Sequence, residues 1–157
     1  MIKTGIGYDA HKLALKSKLI LGGIEIRSKI GSVGHSDGDV LIHAIVDSIL
    51  GASSMGDIGQ LFSSSSDKWK DADSMIFLKQ TVEKVRSAGF EINHIDCVII
   101  LQKPNISSYI DSMRSNISER ISIDKSQISI KATTTDYMGY IGKGEGIATQ
   151  AIATLDH

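Results

Sequence analysis

The chain has 157 residues, 41% of them hydrophobic and 22% charged, with a formal net charge of −1. That size and balance suit one domain with one core and give no general attraction to nucleic acid or to an anionic membrane. The single cysteine, Cys97, excludes an intramolecular disulfide and suits a reducing compartment. No apolar run approaches membrane-spanning length and no leader-like segment opens the sequence, so a cytoplasmic protein is expected.

Ile2–Tyr8 reads as a first strand, followed by Asp9-Ala10-His11, whose carboxylate and imidazole share a face if the extended conformation persists. Lys18–Ile26 reads as a second strand, interrupted by Gly22-Gly23 as a bulge or a close backbone approach. Gly34 to Gly59 is the stretch around which the chain is organised. A polar turn, His35-Ser36-Asp37-Gly38, leads into a helix from about Asp39 to Leu50 with Val40, Leu41, Ala44, Ile45 and Ile49 on its apolar side. Asp39, His43 and Asp47, each four residues from the next, stack on its other side. Gly56-Asp57-Ile58-Gly59 closes the stretch with a second polar turn.

Leu61–Asp73 has no periodicity, and its four consecutive serines read as a surface loop, either a connector or a lid. Asp73 or Ser74 caps a helix running to about Ala88, with Ile76, Phe77, Thr81, Val82 and Val85 inward, and Gly89 stops it. Phe90–Leu101 supplies a strand and carries Cys97 in an apolar run, as a structural thiol. A turn at Gln102–Asn105 leads to a helix from about Ile106 to Arg120. Ile128–Thr133 is a further strand and Ile147–Leu155 the last. The alternation of strands and helices indicates one α/β or α+β domain spanning residues 1–157.

Three of the five histidines, His11, His35 and His43, fall in the first quarter of the chain. With Asp9 they offer a metal set of one carboxylate and two imidazoles, which suits Zn²⁺ or another divalent transition metal with a position left open for substrate. A lone histidine on an apolar helix is more often a satisfied core or surface residue. Asp39 and Asp47 read either as solvated charges or as acceptors for ligand imidazoles. His94 and His157 read as surface residues. Gly139–Gly146, with Lys143, offers amides and an ammonium to phosphate or forms a turn-rich hairpin. No Gly-x-Ser-x-Gly elbow or paired Cys/His signature supports a protein nucleophile. From these residues alone, a metal-dependent phosphohydrolase and a non-catalytic binding protein both stay open.

Several motifs occur together and in order: Asp9-x-His11, the run from His35 to Ala52, Gly56–Gly59, Ala72-Asp73-Ser74, Lys131–Thr135 and Gly144–Ala148. In order and spacing they strongly resemble the 2-C-methyl-D-erythritol 2,4-cyclodiphosphate synthase family, over essentially the whole chain. The resemblance implies a mixed, mostly antiparallel sheet packed with helices. It also implies a homotrimer with active sites between subunits, and a phosphorus–oxygen lyase of non-mevalonate isoprenoid biosynthesis. Such an enzyme converts 4-diphosphocytidyl-2-C-methyl-D-erythritol 2-phosphate to the cyclic diphosphate and CMP.

By position, Asp9, His11 and His43 correspond to the ligands of Zn²⁺, with Asp9 and His11 also meeting substrate. A second ion, Mg²⁺ or Mn²⁺, accompanies the substrate diphosphate. His35 and Thr134 correspond to the catalytic positions, with Ser36 beside His35. Asp57, Ile58 and Gly59 match contacts to the methylerythritol part, next to Phe62, Ser64 and Ser66. The cytidine pocket maps to Leu101, Pro104, Asn105, Ile106 and Ser107, across the subunit boundary from the zinc. Thr133, Thr135, Asp136, Tyr140 and Lys143 complete the substrate set. An isoprenoid diphosphate in a central trimer channel is a further implied partner, with Lys143 and Glu145 at its polar end. The chain departs from the family pattern where Ser64 and Ser66 replace two acidic residues, where Lys143 replaces an arginine and where Asn105 replaces a lysine.

Overall fold

Period-two alternation along the first strand puts two glycines where a helix must sit. In the computed structural model, which describes residues 1–157, β1 runs from Ile2 to Leu15, longer than its sequence pattern suggests. Gly5, Gly7, Asp9, His11 and Leu13 turn to its inner face, and Ile2, Ile6 and Tyr8 to the outer one. Helix α1 (Val40–Ser53) lies against that inner face. A Cβ on Gly7 would come within 1.9 Å of the Ala44 carbonyl oxygen, and one on Gly5 within 2.1 Å of that of Ser48. Strand and helix backbones therefore touch directly.

β1 pairs antiparallel with β4 (Ile30–Val33) on one side and with β7 (Gly146–Asp156) on the other. β7 pairs antiparallel with β5 (Glu91–Ile100), and β5 pairs parallel with β6 (Ile128–Thr133). The sheet order is β4-β1-β7-β5-β6, mixed but mostly antiparallel, as expected. Ile95, Cys97 and Ile99 of β5 and Ala151, Ala153 and Leu155 of β7 form its buried side. Burial pushes the Cys97 thiol far above its ordinary pKa, which suits an inert structural role.

Two elements differ from the sequence pattern. Lys18–Ile26 is a hairpin, β2 (Leu19–Leu21) and β3 (Ile24–Ile26), rather than one interrupted strand. Gly22 and Gly23 have φ of +61° and +71°, so they form the two-residue turn that only left-handed backbone allows. β4 had no signal of its own, being four residues with a central glycine.

Short helix α2 (Ile58–Leu61) follows α1, and α3 (Ser74–Ser87) is capped by Asp73, whose side chain accepts the Met75 N–H at 2.8 Å. The inward set of α3 is Met75, Phe77, Leu78, Thr81, Val82 and Val85, whereas Ile76 is 39% exposed. A 3₁₀ turn (Ser107–Tyr109) leads into α4 (Ile110–Ile121), so this helix starts later than its pattern suggests. The expected hairpin at Gly139–Gly146 is instead a single helical turn, α5 (Gly139–Gly142), leading into β7. No helix is long and apolar enough to cross a membrane.

Replacing Gly7 by alanine puts a methyl group into the Ala44 carbonyl, a clash no rotamer relieves. Overpacking of this kind costs about 1–3 kcal/mol or more. Urea denaturation of Gly7→Ala should show a lower midpoint.

Candidate metal and phosphate site

The strand–helix contact fixes a register. Two residues along β1 advance about 6.7 Å, and four residues of α1 advance about 6 Å. Gly5 faces Ser48 and Gly7 faces Ala44, and beyond Gly7 the Asp9 side chain reaches His43, the residue just before Ala44 on the helix. The Asp9 Oδ2 atom lies 2.9 Å from His43 Nδ1 and 3.1 Å from His11 Nδ1. One ligand atom from each of Asp9, His11 and His43 falls within 4.8 Å of the others.

The chemistry of this cluster asks for a cation. His11 Nδ1 is buried and, although near Asp9, has no hydrogen-bond geometry to any partner. A carboxylate oxygen and two ring nitrogens thus converge, and they are the donor types that Zn²⁺ takes. Burial alone would raise the Asp9 carboxyl, but the contacts and charges of His11 and His43 outweigh it and hold its pKa below the ordinary value. His43 shows the mirror effect. Burial disfavours its charged form, yet the hydrogen bond to Asp9 and the charges of Asp9, Asp39 and Asp37 raise it.

The other two acidic residues of α1 do not serve the imidazoles. Asp39 is the N-cap, fully buried, and accepts the Gly22, Gly23 and Ile42 N–H groups at 3.1, 2.7 and 3.1 Å. It joins the β2–β3 turn to the helix start. Asp47 accepts the Ile58 N–H at 2.7 Å and so anchors the Asp57–Gly59 turn. Both are held by backbone amides, which the four-residue spacing does not reveal.

The turn carrying His35 and Ser36 is fastened to the segment before α3. Asp37 N–H donates to Ala72 O at 3.0 Å, and Asp71 N–H donates to His35 O at 2.8 Å. Asp37 also accepts from Ser74, through both its backbone N–H and its hydroxyl. His35 Nε2 donates to the Ser66 carbonyl at 3.0 Å.

A cavity of about 230 Å³ opens here, lined by His11, His35, Ser36 and His43, by Ile58, Gly59 and Ser64, and by Phe62, Trp69 and Phe77. Phe62 and Phe77 stack at 4.6 Å, with Trp69 edge-on to both. Trp69 and Phe77 were not legible as lining residues: one sits in the aperiodic loop and the other reads as core. Asp57 lies just outside the lining, where it caps α2 by accepting the Gln60 N–H at 2.9 Å.

A second cavity, of about 140 Å³, is lined by Leu101, Pro104, Asn105, Ile106 and Ser107 with Thr133 and Thr134, and also by Gln102 and Ala132. The two linings share no residue. Thr135 lies beyond them, its hydroxyl donating to Met138 O at 2.7 Å, and Asp136 N–H donates to Thr134 Oγ1 at 3.3 Å. Tyr140 lines a third, open cavity with His11, Lys12 and Glu145, and Lys143 is exposed near by in sequence.

Fold and site together define a small mixed α/β protein with a carboxylate and two imidazoles poised for a divalent cation beside a polar cavity. The chain belongs to the YgbB family, whose profile matches residues 2–156. It is 49% identical to the 2-C-methyl-D-erythritol 2,4-cyclodiphosphate synthase of Clostridium acetobutylicum, over 98% of this chain and 99% of that one. Its fold superposes on the bifunctional IspDF of Campylobacter jejuni with a TM-score of 0.95 at 42% identity, covering 99% of this chain but only 42% of that longer one. It also superposes on Plasmodium falciparum IspF in complex with CDP, with a TM-score of 0.87 at 38% identity, over 98% of this chain and 95% of that one. The resemblance read from the sequence motifs is thereby borne out.

Asp39 supplies a pH signature. Burial first, and then the charge of Asp37, raises its pKa to about 7 despite the backbone donors. The folded protein therefore holds this proton more tightly than the unfolded chain, whose Asp pKa is about 3.9. Its stabilising contribution is complete below about pH 4 and is lost as pH rises through about 7. The stability of the unaltered protein relative to Asp39→Asn should accordingly fall between pH 4.5 and 7.5, read from urea midpoints of both proteins.

Proposed function

We propose that this protein forms 2-C-methyl-D-erythritol 2,4-cyclodiphosphate and CMP from 4-diphosphocytidyl-2-C-methyl-D-erythritol 2-phosphate, as a phosphorus–oxygen lyase of non-mevalonate isoprenoid biosynthesis in the cytoplasm. The observation that carries this reading is the convergence of Asp9, His11 and His43 at the mouth of the His35–Ser36 cavity, in a chain similar to such synthases over its full length. The CDP in the Plasmodium falciparum protein supports a cytidine nucleotide as part of the substrate.

An oxygen of the substrate's 2-phosphate attacks the β-phosphorus. The new P–O bond closes the ring as the bond to the α-phosphate side breaks, and CMP leaves with the electron pair. No protein nucleophile is needed, so the chain's work is positioning and charge stabilisation. Asp9, His11 and His43 would hold Zn²⁺, which with a second divalent ion, Mg²⁺ or Mn²⁺, would supply Lewis-acid charge to phosphoryl oxygens. His35 and Ser36 orient phosphate at the cavity mouth, and Ile58, Gly59 and Phe62 enclose the methylerythritol carbon chain beside Asp57. The cavity of Leu101–Ser107 takes cytidine. Thr133, Thr134, Thr135 and Asp136 border its phosphates, with Thr134 meeting the reacting group.

The two cavities have separate linings, and we read them as halves of one site that meet between copies of the chain in a homotrimer. In support, the outer sheet face is bare and apolar: Ile6 is 62% exposed, Tyr8 59% and Ile152 41%. A channel between three such faces, with Lys143 and Glu145 at its polar end, suits an isoprenoid diphosphate.

Phosphorus NMR of the protein with this substrate, Zn²⁺ and Mg²⁺ should show CMP and a cyclic diphosphate. His43→Ala should lower turnover by more than about 100-fold, beyond the usual loss for an outer partner of a ligand. Release of inorganic phosphate instead would mean a phosphohydrolase, and bound but unconverted substrate a binding protein. In solution the mass should be three times that of one chain, and Ile6→Lys should shift it toward one chain by placing a charge in the apolar face.

A further inference from the structure

His43 faces the cation site through one ring nitrogen and is held from behind through the other. Its Nε2 lies 2.9 Å from Ser74 Oγ and 3.1 Å from Ser36 Oγ. The Ser74 hydroxyl donates to Asp37 Oδ1 in a very short contact. Asp37 is itself fixed: its Oδ1 accepts the Asp39 N–H at 3.1 Å, and its Oδ2 accepts the Ser74 N–H at 3.0 Å. A carboxylate only accepts, and a serine hydroxyl has a single hydrogen. With that hydrogen given to Asp37, Ser74 Oγ meets His43 only as an acceptor. Nε2 must then carry a ring proton, and Nδ1, 2.9 Å from Asp9 Oδ2, is the nitrogen left to give up its hydrogen to a cation.

We propose that Ser74, held by Asp37, is a positioning residue that fixes His43 in its Nε2–H form and so presents Nδ1 as the cation ligand. The role rests on the reading of Asp9, His11 and His43 as a cation site. Outer partners of ligand histidines set ring orientation and basicity in this way. Ser36 cannot replace it. Its only other hydrogen-bond partner is the Ser74 hydroxyl at 3.4 Å, so its hydrogen is free to serve either form of the ring. Ser74 is fully buried at the first residue of α3, whose cap is already supplied by Asp73. A serine hydroxyl there is not needed to start the helix.

The test compares the unaltered protein with Ser74→Ala and Ser74→Thr, with His43→Ala as the control for cation binding. Proton–nitrogen NMR of ¹⁵N-histidine-labelled protein with Zn²⁺ bound reads which nitrogen of His43 carries hydrogen. Competition with a chromophoric chelator reads Zn²⁺ affinity. The unaltered protein should show Nε2–H. Ser74→Ala should lose that single form and bind Zn²⁺ about 10- to 100-fold more weakly, with its melting transition retained. Ser74→Thr, which keeps a hydroxyl, should recover both. An Nδ1–H form in the unaltered protein would overturn the proposal without any variant having to fold. So would a Ser74→Ala protein with unchanged form and affinity while His43→Ala loses Zn²⁺; the cation site would then stand without the relay. Failure of the unaltered protein to bind Zn²⁺ would remove the cation site, and the ligand role of His43 with it.

Discussion

The contact between β1 and α1 governs the rest of the structure. Gly5 and Gly7 leave no side chain between the two backbones, so neither element can slide or rotate by the width of a methyl group without losing contact or clashing. The rise of the strand and the rise of the helix happen to match, two residues against four. That match keeps Gly5 against Ser48 and Gly7 against Ala44, and Asp9, the next inward residue of the strand, reaches His43 beside Ala44. Three ligand atoms from positions 9, 11 and 43 come within 4.8 Å because two backbones are in register, not because a flexible loop brings them together. Sites built on regular elements in this way hold their geometry better than sites built on loops.

Around this rigid half, four aspartates sit within a few residues of the imidazoles, and the environment separates their roles. Asp39 and Asp47 have their carboxyls raised, mainly by burial, and spend their oxygens on backbone N–H groups. Asp37 holds Ser74 and the turn between His35 and Asp39. Asp9 is lowered, because the contacts and charges of His11 and His43 outweigh its burial. A cation drawn to this region therefore finds one strong anionic ligand and a set of carboxylates already committed to structure.

The long apolar strands and both main helices were legible because their periodicity is strong. Asp9 and His11 were legible as a same-face pair, and His43 as a helix residue, because spacing alone decides a face. What spacing cannot give is what lies opposite. Asp39 and Asp47 share the side of α1 that carries His43 in a helical count, yet Asp39 lies before the first helical residue and turns to the Gly22–Gly23 turn. The hairpin at Lys18–Ile26 was read as one strand because Gly-Gly within an apolar run resembles a bulge as closely as a turn. Ser74 was visible only as a helix start, since its hydroxyl partners are 31 and 37 residues away in sequence.

The serine-rich loop shows how a departure in sequence can leave a contact standing. At positions 64 and 66, where the resemblance to the synthase family implies acidic residues, this chain has serines. The bond that ties the loop to the site, however, runs from His35 Nε2 to the carbonyl oxygen of Ser66. A main-chain acceptor is present whatever the side chain, so this anchor does not depend on an acidic residue at position 66. Ser63 and Ser65 meanwhile bond to each other at 2.7 Å, and the Ser63 hydroxyl accepts the Ser65 N–H, which holds the turn locally. The aromatic group of Phe62, Trp69 and Phe77 packs the base of the loop through apolar contact alone. The loop's shape thus rests on backbone and aromatic contacts, while Ser64 lines the cavity beside His35 and Ser36.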